Sequence, residues 1–408
     1  MTALLASARP SARRRLSPPA AYVLAASVIG LALFASATPS PLYGIYRAMW
    51  GFTPVVLTLV YATYAFGVLI SLIVAGHVSD DIGRRPVLLL ALGALMLSTG
   101  LFMAADSVGW LFAARGLQGL ATGLALSAAS AALLDLHPRR DAGAVGLTNG
   151  VVSAAGMGLG VLASAAIVEL LPAPRILPYV LLLVLFGACF AAAWWMPEPV
   201  TSRSPLRLSP QRLNVPAVVR GPFILAALAV ISSWSVGGLF LSLGPQLSAS
   251  LFHTSNHLVT AISVFALAGT GAVAQLTFAR TVPWAGAAAG SIALAIGMLL
   301  IVAAATTASS GLLLLGALIA GAGFGVAFLG ALRTLSAVIP AEHRASVMSA
   351  FYLVAYASLS LPAVLAGAVV TTLGLRPTFE IFGVAVATIA LAVTVQAWRV
   401  RPRPAMDA

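Results

Sequence analysis

The sequence predicts an all-α membrane protein: twelve transmembrane helices in two pseudo-symmetric halves of six. Three observations carry this expectation. Of 408 residues, 61% are hydrophobic and only 8% charged, whereas a soluble domain is nearer half apolar and one quarter charged. Apolar runs long enough to cross a hydrocarbon core, about 20 residues of helix, recur from one end to the other. The longest polar connection, 197–221, falls at the middle and is rich in Pro, Ser and Arg. Alternating strands of about ten residues, the signature of a membrane barrel, are absent.

The elements follow in order. A polar segment 1–19 precedes the first half, 20–196, which divides into spans at 20–41, 54–76, 86–105, 109–134, 144–168 and 176–196. The inter-half loop is 197–221. The second half, 222–399, holds spans at 222–243, 256–279, 284–305, 311–336, 345–371 and 377–399, and 400–408 is a polar tail. Arg9, Arg13, Arg14 and Arg15 before an apolar run ending Ala35-Ser36-Ala37 imitate a signal peptide. The many apolar segments that follow favour an uncleaved first span.

Arginine fixes the expected orientation. With both termini inside, seventeen arginines fall in inner segments, against Arg47, Arg175 and Arg376 in outer loops. The positive-inside rule then places both termini in the cytoplasm. The net charge of +12 has the same origin, so nucleic acid is not an expected partner. The expected location is the cytoplasmic (inner) membrane of a bacterium, as a monomer in a lipid bilayer. Every basic residue is Arg; without Lys there is no P-loop and no ATP-driven step within this chain. Cys189 is alone, and no His/Cys/Asp cluster has metal spacing, so neither cofactor nor metal is expected. His253 and His257 lie four apart before span 8 without a third ligand.

The halves are related internally. Gly119 and Gly123 recur as Gly321 and Gly325, Pro138 as Pro340, and Val145 as Val347. Duplicated six-span halves are a transporter plan, with the substrate site between them near the midplane. Small-xxx-small pairs such as Gly156/Gly160 let helices approach closely; in a transporter they also serve as sliding surfaces.

Between spans 2 and 3 stands "GHVSDDIGRRP", residues 76–86. Together with the six-plus-six plan it resembles the major facilitator superfamily, whose loop signature runs G-x-x-x-D-R/K-x-G-R-R/K. Gly76, Asp80, Gly83, Arg84 and Arg85 match; Asp81 stands where a basic residue is usual. Span 4, "ARGLQGLATG", resembles a second signature of proton-coupled members through Arg115, Gln118, Gly119 and Gly123. The likeness leans towards the drug/proton antiporter branch, although span 5 lacks that branch's proline. "TPSPLYGIY" at 38–46 is similar to the end of span 1 in a set of bacterial facilitator proteins.

The residues suggest roles beside the resemblance. Asp80 only accepts hydrogen bonds and Arg84 is a planar five-donor fork, so the two can pair. Asp135, at the inner end of span 4, is a second partner for Arg84 or Arg85. The resemblance implies that Asp80 also faces the start of span 11, near Ala345, and that the cluster with Gly76 and Gly83 is a conformational latch. A plain topogenic charge cluster is the alternative. Arg115 lies inside a span, which makes it a functional hypothesis. It either snorkels outward or faces the cavity to hold a polar or anionic substrate group, with Gln118 on the same face. Arg333 likewise either snorkels or reaches the cavity. Thr38, Tyr61, Tyr64, Asn149, Trp234, Gln275, Tyr352 and Tyr356 are candidates for the cavity wall, with core packing or an interfacial belt as the plainer reading for the aromatics. Tyr43, Tyr46 and Trp50 read as interfacial anchors.

None of the ten acidic residues lies at the centre of a span, which argues against strongly cationic substrates. The expected function is secondary active transport by alternating access: proton-coupled efflux of neutral or amphipathic small molecules. Transport of a sugar or organic acid is the alternative. A membrane enzyme or non-transporting polytopic protein would need a catalytic cluster or soluble domain, and the loops hold neither.

Overall fold

A computed structural model describes residues 15–76, 78–200, 205, 214–340 and 343–401. His77, the second residue of the loop motif, lies outside them, as do the acidic residues Glu342 and Asp407. Fourteen α-helices are described: α1 (Pro18–Ala37), α2 (Tyr43–Trp50), α3 (Pro54–Ala75), α4 (Val78–Ile82), α5 (Arg84–Met103), α6 (Val108–Leu136), α7 (Ala142–Leu170), α8 (Leu177–Trp194), α9 (Arg220–Phe252), α10 (His257–Thr277), α11 (Pro283–Thr307), α12 (Ser310–Ser336), α13 (Arg344–Leu373) and α14 (Leu375–Arg399). All but α2 and α4 are long and apolar enough to cross a membrane, giving 12 candidate spans. In hydrocarbon every backbone group must be bonded internally, so such runs have no alternative to helix.

The ends of the spans are set by local chemistry. Proline occupies the first turn of α1, α3, α8 and α11, where its missing N–H costs nothing. Thr53, Asp141, Asn256 and Ser309 cap α3, α7, α10 and α12 with side-chain oxygens. Two expected boundaries move. The first span ends at Ala37 rather than 41, because Pro39 and Pro41 cannot donate and disfavour helix in the residues before them. The seventh runs on from 243 through Pro245 to Phe252; neighbouring helices can satisfy the carbonyl that a proline frees.

Helix pairing repeats between the halves. α3 packs on α6 and α1 on α7; correspondingly α10 packs on α12 and α9 on α13. Glycine permits the closest of these contacts. A methyl group on Gly119 would overlap the carbonyl oxygen of Tyr64, and one on Gly321 would overlap that of Leu267. The halves meet along a seam where α7 faces α10 and α3 faces α13.

We call the side on which α1 begins and α14 ends the terminal face. On the opposite face the seam is closed. Ser40 Oγ donates to the carbonyl of Leu241 at 2.7 Å. Glu169, at the end of α7, accepts from Asn256 Nδ2 at 2.9 Å and from His257 N at 2.9 Å, with His257 Nδ1 at 3.1 Å. Gly367 of α13 sits directly on Thr58 of α3. On the terminal face the halves part around a cavity.

Candidate functional site

The cavity has a volume of about 560 Å³ and lies in the seam. Its deep end is bounded by Ser36, Tyr61, Tyr64 and Leu241; its mouth by Leu134, Ala142, Leu332, Ser336 and Met348, at the terminal-face ends of α6, α7, α12 and α13. The lining thus runs from mid-membrane to one face only. Of the residues expected on the wall, Tyr61, Tyr64, Asn149, Trp234, Gln275, Tyr352 and Tyr356 are there. Among the described residues none of the lining side chains is charged. The second half supplies an aromatic surface: Trp234 stands edge-on to Tyr356 with ring centroids 5.1 Å apart, and 6.0 Å from Phe328. Such geometries favour flat apolar partners.

Three expected cavity residues serve elsewhere. Thr38 is 1% exposed; its hydroxyl donates to Phe34 O at 2.9 Å, and its carbonyl accepts from Ser164 at 2.7 Å. Arg333 does not line the cavity, and it stays partly exposed at the terminal-face end of α12. Its Nη1 donates to Ala279 O at 2.6 Å and Thr281 O at 3.2 Å, holding the turn between α10 and α11.

Arg115 is the third, and it neither snorkels nor lines the cavity. It is fully buried, one layer behind the wall formed by Ser36, Tyr61 and Tyr64. Its Nη1 donates to Ser36 O at 2.8 Å and to Gln118 Oε1 at 2.7 Å. Nε and Nη2 donate to Tyr43 Oη at 2.9 and 2.6 Å. Gln118 Nε2 donates to Ala35 O at 3.1 Å. The physical reason is the end of α1. The last carbonyls of a helix have no partner within it, and the helix dipole favours a cation there. Arg115 and Gln118 are that cap, delivered from α6. Rings of Tyr43, Tyr61, Tyr64 and Phe102 surround the guanidinium at 5.5 to 5.9 Å, a cation–π cage. No carboxylate pairs with it among the described residues.

Tyr43 and Tyr46 are therefore not interfacial anchors. Both are buried; Tyr43 holds Arg115, and Tyr46 shares a hydrogen bond of 3.2 Å with Tyr179. Burial pushes the Tyr43 phenol above its ordinary range, with Arg115 working against the shift. It stays neutral, as an acceptor for Arg115.

The loop motif forms a second polar cluster at the terminal face. Arg84 is 9% exposed. It pairs with Asp80, donates to Asp135 Oδ2 at 3.0 Å and to Ser79 Oγ at 2.8 Å. Gly83 takes φ +110°, a conformation that other residues resist, and a side chain there would strike Glu198. Glu198 accepts from the backbone N–H of Arg84 at 2.9 Å and of Arg85 at 3.0 Å, capping α5. Sequence reasoning left Glu198 in the inter-half loop; the signal for it is an acid placed just past α8, at the face where α5 exposes its first N–H groups. The Arg85 guanidinium lies 5.7 Å from the Trp194 ring centroid. Gly76 lines the cavity mouth, and its carbonyl accepts from Ser127 at 2.8 Å. These partners belong to the first half or, for Glu198, to the start of the inter-half loop. The start of α13, the second contact that the resemblance implies for Asp80, lies partly outside the described residues.

Sequence and structure comparisons complete the picture. The family model described as Major Facilitator Superfamily matches residues 25–361. The chain belongs to this superfamily. Its fold is also similar to the crystal structure of the human organic anion transporter MFSD10 (TETRAN). That match has a TM-score of 0.68 and 16% identity, and covers 94% of this chain and 100% of the other. At that identity the likeness speaks for the fold alone. No curated protein matches the sequence. Facilitator membership makes this chain a membrane transporter of small molecules.

Proposed function

We propose that this facilitator exports uncharged, amphipathic small molecules from the cytoplasm and draws on the proton gradient. The observation that carries the substrate class is the cavity wall: aromatic and apolar surface interrupted by carboxamides and hydroxyls, with no charge among its described residues. An organic anion, the class named for the human structural neighbour, would need a cation on the wall. Arg115 is nearby, but its donors are already engaged by Tyr43, Ser36 and Gln118. A permanent cation would need a carboxylate there.

The arginine distribution supports a cytoplasmic terminal face. The cavity then faces the cytoplasm, ready to load. Closure on the other side rests in part on Glu169, which bridges the halves through Asn256 and His257. Outward opening requires that bridge to break. The resemblance of span 4, through Arg115, Gln118, Gly119 and Gly123, to a signature of proton-coupled members is the support for proton coupling. In the outward-open state the Asp80–Arg84 cluster would meet the second half and act as a latch.

The test is a proteoliposome assay with a panel of uncharged, anionic and cationic aromatic solutes under an imposed pH gradient. Uncharged members should move against the proton flux. Asp80→Asn should lower transport at least about tenfold while leaving abundance and melting temperature unchanged, since Asp80 is exposed and Arg84 keeps Asp135 and Ser79, and an ion pair with an exposed partner contributes about 1 kcal/mol or less to stability. Indifference to the gradient would remove proton coupling. Preferential movement of anions would overturn the substrate class.

A further inference from the structure

Two side chains of the cavity wall bury a polar atom without a hydrogen-bond partner, Tyr64 Oη in the first half and Gln275 Oε1 in the second. Gln275 of α10 is 1% exposed, and its Oε1 is buried with no hydrogen-bond donor. It lies against Gly150 of α7, so closely that a methyl group on Gly150 would overlap it. The glycine thus makes room for a carboxamide from the other half, yet supplies nothing to bond it. A polar group left unpaired away from water is costly, about 1–3 kcal/mol, and its retention asks for an explanation. Next to Gly150 in the chain is Asn149. Its Oδ1 accepts from Ser130 Oγ at 3.4 Å, and its Nδ2 finds no partner among the described residues. Both carboxamides line the cavity. The aromatic surface of Trp234, Tyr352, Tyr356 and Phe328 belongs to the same wall.

We infer that Asn149 and Gln275 form a subsite for the amide group of an uncharged aromatic ligand. An amide presents an N–H donor and a carbonyl acceptor on one short edge. Gln275 Oε1 takes the donor after a turn about its terminal torsion, which is soft. Asn149 Nδ2 supplies the acceptor's partner. The ring of the ligand lies towards Trp234 and its neighbours. One carboxamide comes from each half, so a bound ligand bridges the seam. This rests on the reading of the cavity as the transport site, and it narrows the substrate from uncharged to amide-bearing.

The experiment uses the full chain in detergent or nanodiscs and three probes of one shape: 2-naphthamide, 2-isopropylnaphthalene and 2-naphthoate. Binding is followed by quenching of tryptophan fluorescence, with Trp234→Phe as the control for the cavity signal. The wild type should bind the amide about tenfold more tightly than the hydrocarbon, the equivalent of about 1.4 kcal/mol, and should reject the carboxylate. Gln275→Met and Asn149→Leu should each bring the amide towards the hydrocarbon's affinity and leave the hydrocarbon's own affinity unchanged. Gln275→Met should also leave the melting temperature of the free protein unchanged or raised, because it removes an unpaired group. Equal binding of amide and hydrocarbon by the wild type would overturn the subsite while keeping the cavity as a site for uncharged aromatics. Failure of all three probes, or preference for the carboxylate, would overturn both. A destabilised Gln275→Met would mean that Gln275 is bonded within the protein, and would also sink the subsite.

Discussion

On α6, Arg115 and Gln118 occupy the turn before Gly119. On α12, the same places before Gly321 hold Ala317 and Ala320, both fully buried. On α7, Asp141 caps the helix and Gly150 clears the seam. Their counterparts on α13 are His343, which makes no side-chain cap, and Tyr352, which lines the cavity. The turn after α3 is tied down by Arg84, Asp80, Asp135 and Glu198, whereas the turn after α10 is held by Arg333 on two carbonyls. The glycines that set helix spacing are kept in both halves, and the side chains facing inward have diverged. The first half carries the buried arginine, the loop ion pairs and the Asp141 cap, and the second supplies most of the aromatic wall. Duplication fixes the scaffold; the chemistry is added to it asymmetrically.

The most severe way to break this comparison is Ala317→Arg. It would bury a guanidinium in the second half with no helix end, phenol or carbonyl to receive it, an environment that tolerates charge poorly. Loss of folded, monodisperse protein is expected. Arg115→Met removes the charge instead and leaves Ser36 O, Gln118 Oε1 and Tyr43 Oη without its donors, about 1–3 kcal/mol for each such group; it should fold, with a melting temperature lower by several degrees. If both variants melt like the wild type, the halves are interchangeable and the division proposed here is wrong.

A smaller effect sharpens what the halves share. Gly119→Val and Gly321→Val each push a side chain into a backbone carbonyl of the neighbouring helix. Overpacking of this kind costs about 1–3 kcal/mol, and the two variants should lose melting temperature alike. A loss confined to one of them would show that the repeat is not a packing repeat.

The smallest effect concerns the cap that only one half has. The backbone N–H groups of Ala144 and Gly143 hold the Asp141 carboxyl below its usual range. A depressed native pKa contributes stability above the unfolded value, near 4, and loses it as pH falls through the native value. Melting curves of the wild type and Asp141→Ala should therefore differ slightly at neutral pH and converge below about pH 4. A gap that persists in acid would mean the charge is not what caps α7.

These contrasts also explain what the sequence discloses. The spans are legible because each needs only an apolar run and a stop at Pro, Gly or a capping residue. The pairing of Arg84 with Asp80 is legible because the two share one short loop, and that with Asp135 because span 4 ends on the same face as that loop. Tyr43 is not, since its bond to Arg115 joins positions 72 apart and depends on how α2 folds back over α6. Glu198 is hidden for the same reason: it stands 114 positions from the N–H of Arg84 that it caps. Arg115 itself signals importance through its setting, but nothing local says that the end of α1 is its ligand. Short helices such as α2 and α4 leave no periodic trace of their own.

Arg115 brings one more consequence. It places a full positive charge inside the membrane, answered by phenols and carbonyls rather than by an anion. Moving one charge through the whole membrane field is worth about 2.3 kcal/mol per 100 mV. In the proposed rocking of the halves Arg115 moves with the first half, and whatever fraction of the field it crosses enters the energetics of opening. A carrier of uncharged cargo built this way would still feel the membrane voltage, with its resting posture biased by the electrical polarity of the cell.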